Sequence, residues 1–355
     1  MKTALYDHHR ALGAKFVDFC GWEMPIQYQG IIQEHNAVRQ KAGIFDVSHM
    51  GRILIYGPQA ENFLDYLSTN KIAGKPDLSA TYTVWCNDSG HCVDDVIVYK
   101  QNATHFFVIV NACNRKKDLA HLIHYSREFD VTIQDRYTED GIISVQGPSA
   151  VKITARIFPE ATTIKPMHFT YLDYHGEHIV LSATGYTGAG GFEIYASHTA
   201  IVALWEHFLT VGRDDGLVPI GLGARDTLRL EKGYALYGHE LSETIAASES
   251  ISAWTIKWEK QNFLGKSALV ALEKSIEKRI EYGIVMLEPG IARADYEVFY
   301  ENQQIGIVTS GTQSPTLNKA IAIILVDQKL NVGDIVDIQI RQKRVKAQVI
   351  KLPFL

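Results

Sequence analysis

Residues 52–67 read Arg52-Ile-Leu-Ile-Tyr-Gly-Pro-Gln-Ala-Glu-Asn-Phe-Leu-Asp-Tyr-Leu67: an apolar run, a Gly-Pro break, then Ala60, Phe63, Leu64 and Leu67 at helical spacing. The pattern predicts a strand over 52–56 and an amphipathic helix behind the turn. Downstream, residues 81–86, 93–99 and 106–110 alternate or run apolar between turn residues, which predicts three more strands. Another helix opens at Asn114, a good N-cap, and runs through Leu119, Leu122 and Ile123. This β-α-β-β-β-α order fits an α+β sandwich of the split βαβ kind better than a wound parallel sheet.

The same grammar extends both ways. After Gly30, the residues Ile31, Ile32, His35, Val38 and Arg39 recur at helical spacing, and Gly43 closes the segment. Past residue 140 comes a strand at 142–145, a Gly147-Pro148 break and a helix at 150–157. Strands at 179–182 and 192–195 flank a glycine turn, and Ile201, Leu204, Trp205 and Phe208 mark an amphipathic helix. The repeated strand, Gly-Pro, helix order hints at two related halves. From 280 onward, residues 284–287, 297–300, 305–310, 321–326, 335–340 and 345–351 read as short strands of a small antiparallel barrel or sandwich. A helix over 266–278 forms the connection, so the chain is expected to hold two α+β lobes and a β cap.

Composition narrows the function classes. With 355 residues, 46% apolar and 21% charged, the chain has room for two or three cores. A net charge of −5 and a pI near 6.3 give no basic footprint for nucleic acid. Its apolar runs are too short to span a bilayer, and the first ten residues read as neither secretory signal nor transit peptide. The four cysteines, Cys20, Cys86, Cys92 and Cys113, form no CxxC pair and are expected as free thiols of the cytoplasm.

Two segments suggest a ligand. Residues 184–193, Thr-Gly-Tyr-Thr-Gly-Ala-Gly-Gly-Phe-Glu, deliver a carboxylate, Glu193, from a glycine-dense turn. Residues 221–231 place Arg225 in the first turn of a helix. A carboxylate accepts paired hydrogen bonds from an amidine-like edge, and a guanidinium holds an oxyanion, so the pair suits a flat heterocycle with an amino edge and an acid. A tight turn beside a salt-bridged helix face is the plainer reading. In Val93-Asp-Asp-Val-Ile-Val-Tyr99, Asp95 shares a face with Ile97 and Tyr99, and Asp94 shares one with Val96 and Val98. An aspartate pointing inward has a raised pKa and can relay protons; alternatively both stand in water at the strand's end or pair with arginine. Asp46 and Ser48 read as turn and cap residues, and His8 and His9 as surface histidines rather than metal ligands. The tail over 341–351 carries five basic residues and no acid, as protection of an edge strand would require.

Several motifs together carry a resemblance. They are residues 13–25 (Gly-Ala-Lys-Phe-Val-Asp-Phe-Cys-Gly-Trp-Glu-Met-Pro), 43–51 (Gly-Ile-Phe-Asp-Val-Ser-His-Met-Gly), 93–99, 110–112, 146–148, 184–188, 221–231 and 309–315. In that order they resemble the aminomethyltransferases (T-proteins) of the glycine cleavage system, within a wider folate-binding group. The resemblance implies a three-domain, cloverleaf-like α+β fold: a folate-binding lobe from 1–50 and 141–255, a second lobe over 51–140, a connecting helix within 256–279 and a C-terminal β-barrel over 280–355. It implies tetrahydrofolate as co-substrate, no metal, and the lipoylated H-protein as partner of a monomeric, cytoplasmic enzyme that needs neither nucleic acid nor membrane. Carried over by motif, Asp95 is the catalytic aspartate beside the reacting folate nitrogens. Glu193 accepts from the pterin's amino edge, and Arg225 fixes the cofactor. Tyr82, Tyr99, Asn111, Tyr186 and Tyr234 line the pocket, with Met50 and Leu54 as apolar wall. The alternatives are an iron–sulfur assembly or repair protein of the same fold, and a folate-dependent demethylase of a small amine or thioether. The first carries Lys-Gly-Cys where residues 232–234 here are Lys-Gly-Tyr.

Overall fold

The computed structural model describes all 355 residues, which divide into two compact units. The first comprises Met1–Leu64, Ile72–Tyr82 and Val96–Asp226; the second comprises Asp65–Lys71, Thr83–Asp95 and Thr227–Leu355. No helix is long and apolar enough to cross a membrane.

The first unit is built around a six-stranded sheet in the order Phe169–Tyr174, Glu177–Ser182, Gly191–Ser197, Asp140–Gln146, Ala42–Asp46, Leu217–Pro219. Every neighbouring pair is antiparallel except the last, which is parallel. Its inward residues Ile143, Val145 and Ile194 pack with Ile201, Leu204, Trp205 and Phe208 of the helix His198–Val211. Those four side chains lie at the helical spacing that the sequence shows, so one face of the helix is buried whole. A five-stranded sheet follows the order Ser79–Cys86, Cys92–Asn102, His105–Val110, Gly51–Tyr56, Thr132–Asp135. In Gly51–Tyr56, Ile53 and Ile55 are buried while Arg52, Leu54 and Tyr56 are half-buried, the alternation a pleated strand imposes.

The second unit contains a closed six-stranded barrel: Ile280–Met286, Lys319–Val326, Gln303–Ser314, Glu297–Tyr300, Ile335–Ile340 and Lys343–Ile350. Ile284, Val298, Val308, Ile324, Ile338 and Val349 fill it. Closure corrects one expectation. Lys343–Ile350 pairs on both sides, with Ile280–Met286 and Ile335–Ile340, so no edge exists for its basic residues to protect. Lys343, Arg344 and Lys346 instead supply the exposed positions of a strand whose inner face is Val345, Ala347 and Val349. The helix expected over 266–278 stops at Leu272, because beyond it only Ile276 is apolar and that side chain is 97% exposed.

Three further departures concern the first unit. An antiparallel hairpin, Lys15–Phe19 with Trp22–Gln27, stands where no strand is expected from the sequence. Cys20 and Cys113 are disulfide-bonded with Cα atoms 5.1 Å apart, and only Cys86 and Cys92 are free. His9 is buried rather than on the surface: Nε2 lies 3.0 Å from Asp46 Oδ2, and Tyr28 OH lies 2.9 Å from Nδ1. Thr3 donates to the same Asp46 oxygen at 2.6 Å, and Ser48 N–H donates to the other at 2.9 Å. These bonds to the ionised form outweigh desolvation and hold the Asp46 carboxyl below its usual range.

Glu34, buried in the first turn of the helix Ile31–Gln40, organises the approach to Arg225. Its Oε1 accepts from the N–H groups of Tyr28, Gln29 and Gly30 at 2.7, 2.9 and 3.0 Å, and Oε2 accepts from Gly221 N–H at 2.8 Å. Gly221 immediately precedes the helix Leu222–Glu231, and a Cβ there would meet the Ile26 carbonyl oxygen at 2.3 Å. Glu34→Ala strands four backbone donors at once and is expected to cost ~3 kcal/mol or more, read from urea unfolding. Glu34→Gln, which keeps an acceptor, is expected to cost less; equal stability of the alanine variant and wild type contradicts this role.

Candidate functional site

The glycine turn is fixed from beneath. Gln146 Nε2 donates to the Thr184 carbonyl at 3.1 Å, and Gln146 Oε1 accepts from Thr187 Oγ1 at 2.9 Å. Arg39 reaches across to donate to the Thr187 carbonyl at 2.6 Å. Gly191, where the turn rejoins the sheet, has φ +139°, and a Cβ there would lie 2.1 Å from the Val145 carbonyl oxygen. Only glycine permits that approach, and it sets the register in which Glu193 stands between Ser144 and Ser182.

Glu193 is buried, and its two oxygens differ. Oε2 accepts from Thr184 Oγ1 at 2.6 Å and from Tyr195 OH at 3.3 Å, while Oε1 accepts from no group of the protein. Behind them the Tyr99 hydroxyl lies 2.6 Å from that of Tyr195 and 3.1 Å from Thr184 Oγ1, and Ser182 Oγ lies 3.0 Å from Thr184 Oγ1. Burial and the Glu193 charge push both tyrosine hydroxyls well up, so they stay protonated as donors. Tyr99, fully buried, therefore stands behind the carboxylate and orients it through Tyr195 and Thr184. Tyr195 is two residues from Glu193 on one strand face, a pairing visible in the period-two pattern; Thr184 and Ser182 carry no such signal.

Arg225 is half-buried, and its guanidinium carbon stands 4.6 Å from the centroid of the Tyr186 ring. It forms no ion pair; burial holds its guanidinium below the usual range, with Tyr186 and then Glu193 opposing that shift. A cation resting on an aromatic face with no carboxylate clamped to it, beside a buried carboxylate with one open oxygen, can receive a polar ligand. His49 adds to this environment. It is buried, packs edge-on against Phe19 at 5.3 Å between ring centroids, and its Nδ1 has no partner. Burial pushes its imidazole down to about 4, the Arg225 charge pushes the same way, and Asp46 opposes both.

The sign of that shift gives a pH prediction. Below pH 6.5 the unfolded histidine takes up a proton that the folded one refuses until about pH 4, so stability is lost across this window as pH falls. Between pH 7 and 4, wild type is expected to lose about 3 kcal/mol more unfolding free energy than His49→Gln. Parallel urea titrations measure the difference, and identical slopes for both proteins refute it. Asp46, whose folded value is lowered, weakens the fold only at still lower pH.

The remaining sequence-derived residues lie as follows. Met50, Leu54, Tyr82, Asn111 and Tyr186 are half-buried residues of the first unit, with Glu193, Arg225 and Tyr99. Asp95 and Tyr234 belong to the second unit. Of the two strand aspartates, Asp94 is wholly buried and Asp95 half-buried, on the strand Cys92–Asn102. Tyr234 is exposed, its backbone fixed by the buried Arg229, which donates to the Tyr234 carbonyl at 3.0 Å, to Glu240 at 2.9 Å and to Ser310 at 2.9 Å. His49, Thr184, Ser182 and Tyr195 were not among the expected site residues.

Comparisons with known proteins cover the chain almost end to end. Residues 5–260 match the family profile of the GCVT N-terminal domain, and residues 281–355 match that of the glycine cleavage T-protein C-terminal barrel domain. An aminomethyltransferase of Bacillus pumilus is 42% identical over 359 residues, covering 99% of this chain and 98% of its own. One from Desulfitobacterium hafniense is 43% identical over 352 residues, covering 98% and 96%. The crystal structure of the glycine cleavage system aminomethyltransferase T from Bartonella henselae superposes with a TM-score of 0.93 at 30% identity, covering 100% of this chain and 98% of that one.

Proposed function

Because the chain belongs to the aminomethyltransferase family of the glycine cleavage system, we propose that it moves the methylene carbon of an aminomethyl group from the dihydrolipoyl arm of H-protein to tetrahydrofolate. Ammonia leaves and 5,10-methylenetetrahydrofolate is the product. The observation that carries the folate reading is the open Glu193 Oε1 beside the unclamped Arg225 guanidinium, an acceptor and a donor fork with no partner inside the protein. A pterin's amino edge offers hydrogen-bond donors to the first, and the acidic end of a folate offers oxygens to the second. Folate supplies the nucleophilic amines that take up the carbon.

The protein's own residues divide the remaining work. Thr184, Tyr195 and Tyr99 hold Glu193 in one orientation, so no reorganisation accompanies binding. Tyr186 holds the Arg225 guanidinium on its ring. Met50, Leu54, Tyr82, Asn111 and Tyr234 are the proposed contacts to the rest of the ligand. Asp95 is the proposed catalytic carboxylate: it stabilises the positive charge that develops at the carbon as ammonia departs and takes the proton that the attacking amine loses. The enzyme works as a monomer in the cytoplasm, with no metal.

The test has two stages. Calorimetric titration with tetrahydrofolate is expected to give saturable one-to-one binding. Mixing that complex with aminomethyl-loaded H-protein is then expected to release ammonia and methylenetetrahydrofolate in equal amounts. Folate binding without turnover on H-protein favours the repair or assembly alternative, and no folate binding overturns the reading.

A further inference from the structure

Cys20 occupies an unusual place. It and Gly21 form the two-residue turn of the hairpin Lys15–Phe19 and Trp22–Gln27, with φ of 55° and 81°. Such turns ordinarily take asparagine, aspartate or glycine at the first position, since other side chains strain there. Cys113 lies in the turn closed by the bond from Asn114 N–H to the Asn111 carbonyl at 3.0 Å, just before the helix Arg115–Tyr125. Ninety-three residues separate the two cysteines, yet their Cα atoms are 5.1 Å apart, inside the range a disulfide requires. Cys113 is exposed and Cys20 half-buried, so both can be reached by a small thiol.

We propose that Cys20 and Cys113 are a reversible dithiol–disulfide site, modified by exchange with a low-molecular-weight disulfide of the glutathione type, whose oxidised form fastens the hairpin to the Asn111 turn. Cys113 is the attacking thiol. It precedes the N-terminus of an eleven-residue helix and the cations Arg115, Lys116 and Lys117, surroundings that favour a thiolate. The thiolate attacks one sulfur of the small disulfide, forming a mixed disulfide and releasing one small thiol. Cys20 then attacks the Cys113 sulfur, closing the protein bond and releasing the second small thiol. Two protein thiols are oxidised, one small disulfide is reduced to two thiols, and the two protons lost by the protein end on those thiols. Cys86 and Cys92 stay out of this exchange: both are buried, and burial pushes the Cys86 thiol up to about 12.

The bond lies between two segments that border residues of the folate reading. Phe19, next to Cys20, packs on His49, the residue before Met50, and Asn111 is two residues before Cys113. Neither the bond nor its detection depends on that reading. The experiment equilibrates full-length protein in reduced and oxidised glutathione at graded ratios, quenches with acid and counts thiols after denaturation. Four thiols are expected at the reducing end and two at the oxidising end, with a Cys20–Cys113 cross-linked peptide found by mass spectrometry and full reversal on adding dithiothreitol. Cys20→Ser and Cys113→Ser each abolish the cross-link. Hydrogen exchange of amides in residues 16–24 is expected to be about tenfold or more slower in the oxidised protein. A constant four thiols, a cross-link through Cys86 or Cys92, or equal exchange in both forms overturns the proposal. A protein that fails to bind folate but shows the cross-link and the slowed exchange leaves it standing.

Discussion

Asp95→Asn is expected to lower the rate of methylenetetrahydrofolate formation about a thousandfold, while folate binding changes by no more than a few fold. Asparagine preserves the shape of the side chain but removes its charge and its capacity to take a proton. A carboxylate that only shaped the surroundings would therefore be replaced at little loss. The half-burial of Asp95 matters here: it is reachable, yet shielded enough for its charge to count. Its neighbour Asp94, wholly buried on the same strand, is the natural control. Asp94→Asn is expected to lower the melting temperature, with its catalytic loss confined to whatever fraction unfolds. Single-turnover assays with aminomethyl-H-protein at saturating folate, with circular dichroism to confirm folding, make the distinction. A rate for Asp95→Asn within tenfold of wild type removes this residue from the chemistry.

Glu193→Gln is expected to weaken folate binding about a hundredfold. Hydrogen bonds to a charged group are each worth roughly 1.5–3 kcal/mol, and about 2.7 kcal/mol corresponds to two decades in affinity. The amide fails in either orientation. With its oxygen toward Thr184 and Tyr195, it presents NH₂ where Oε1 was open, donor against donor. Turned round, it takes from the Thr184 and Tyr195 hydroxyls the charged oxygen to which both donate, and offers the ligand only a neutral carbonyl. Tyr195→Phe removes the longer, 3.3 Å bond to Glu193 and the 2.6 Å bond to the Tyr99 hydroxyl but leaves the shorter Thr184 bond on the carboxylate, and is expected to cost a few fold. Titration calorimetry separates these magnitudes from the Asp95 variant, whose effect falls on turnover. Unchanged affinity in Glu193→Gln would mean that the open oxygen faces no ligand.

The fold was legible wherever local periodicity and burial agree. The strand, Gly-Pro, helix order at 52–67 and the six C-terminal strands appear as expected, since each element buries one face against a single core. The hairpin at 15–27 escaped because its burial does not alternate cleanly and Pro25 lies inside a strand. The strand Phe169–Tyr174 escaped because it is the sheet's outer strand, with only Phe169 buried. Within the site, Glu193 and Arg225 stood out as charges beside glycine turns. The groups that orient or surround them did not: Thr184 acts from nine residues away, and the influence of Arg225 on His49 spans 176 positions. The Cys20–Cys113 pairing was equally hidden, since nothing local marks partners 93 residues apart.

Glu34 also imposes an order on assembly. Its carboxylate gathers three donors from residues 28–30, all made by the ribosome before it, but the fourth belongs to Gly221, 187 positions later. At about 5–20 residues per second, that donor follows on the order of ten to forty seconds afterwards. A nascent chain thus holds a half-satisfied acid throughout, and the helix carrying Arg225 is seated only when the last donor arrives. The helix that carries Arg225 is among the final parts of its unit to form, so the proposed folate grip is incomplete until nearly all of that unit has been made.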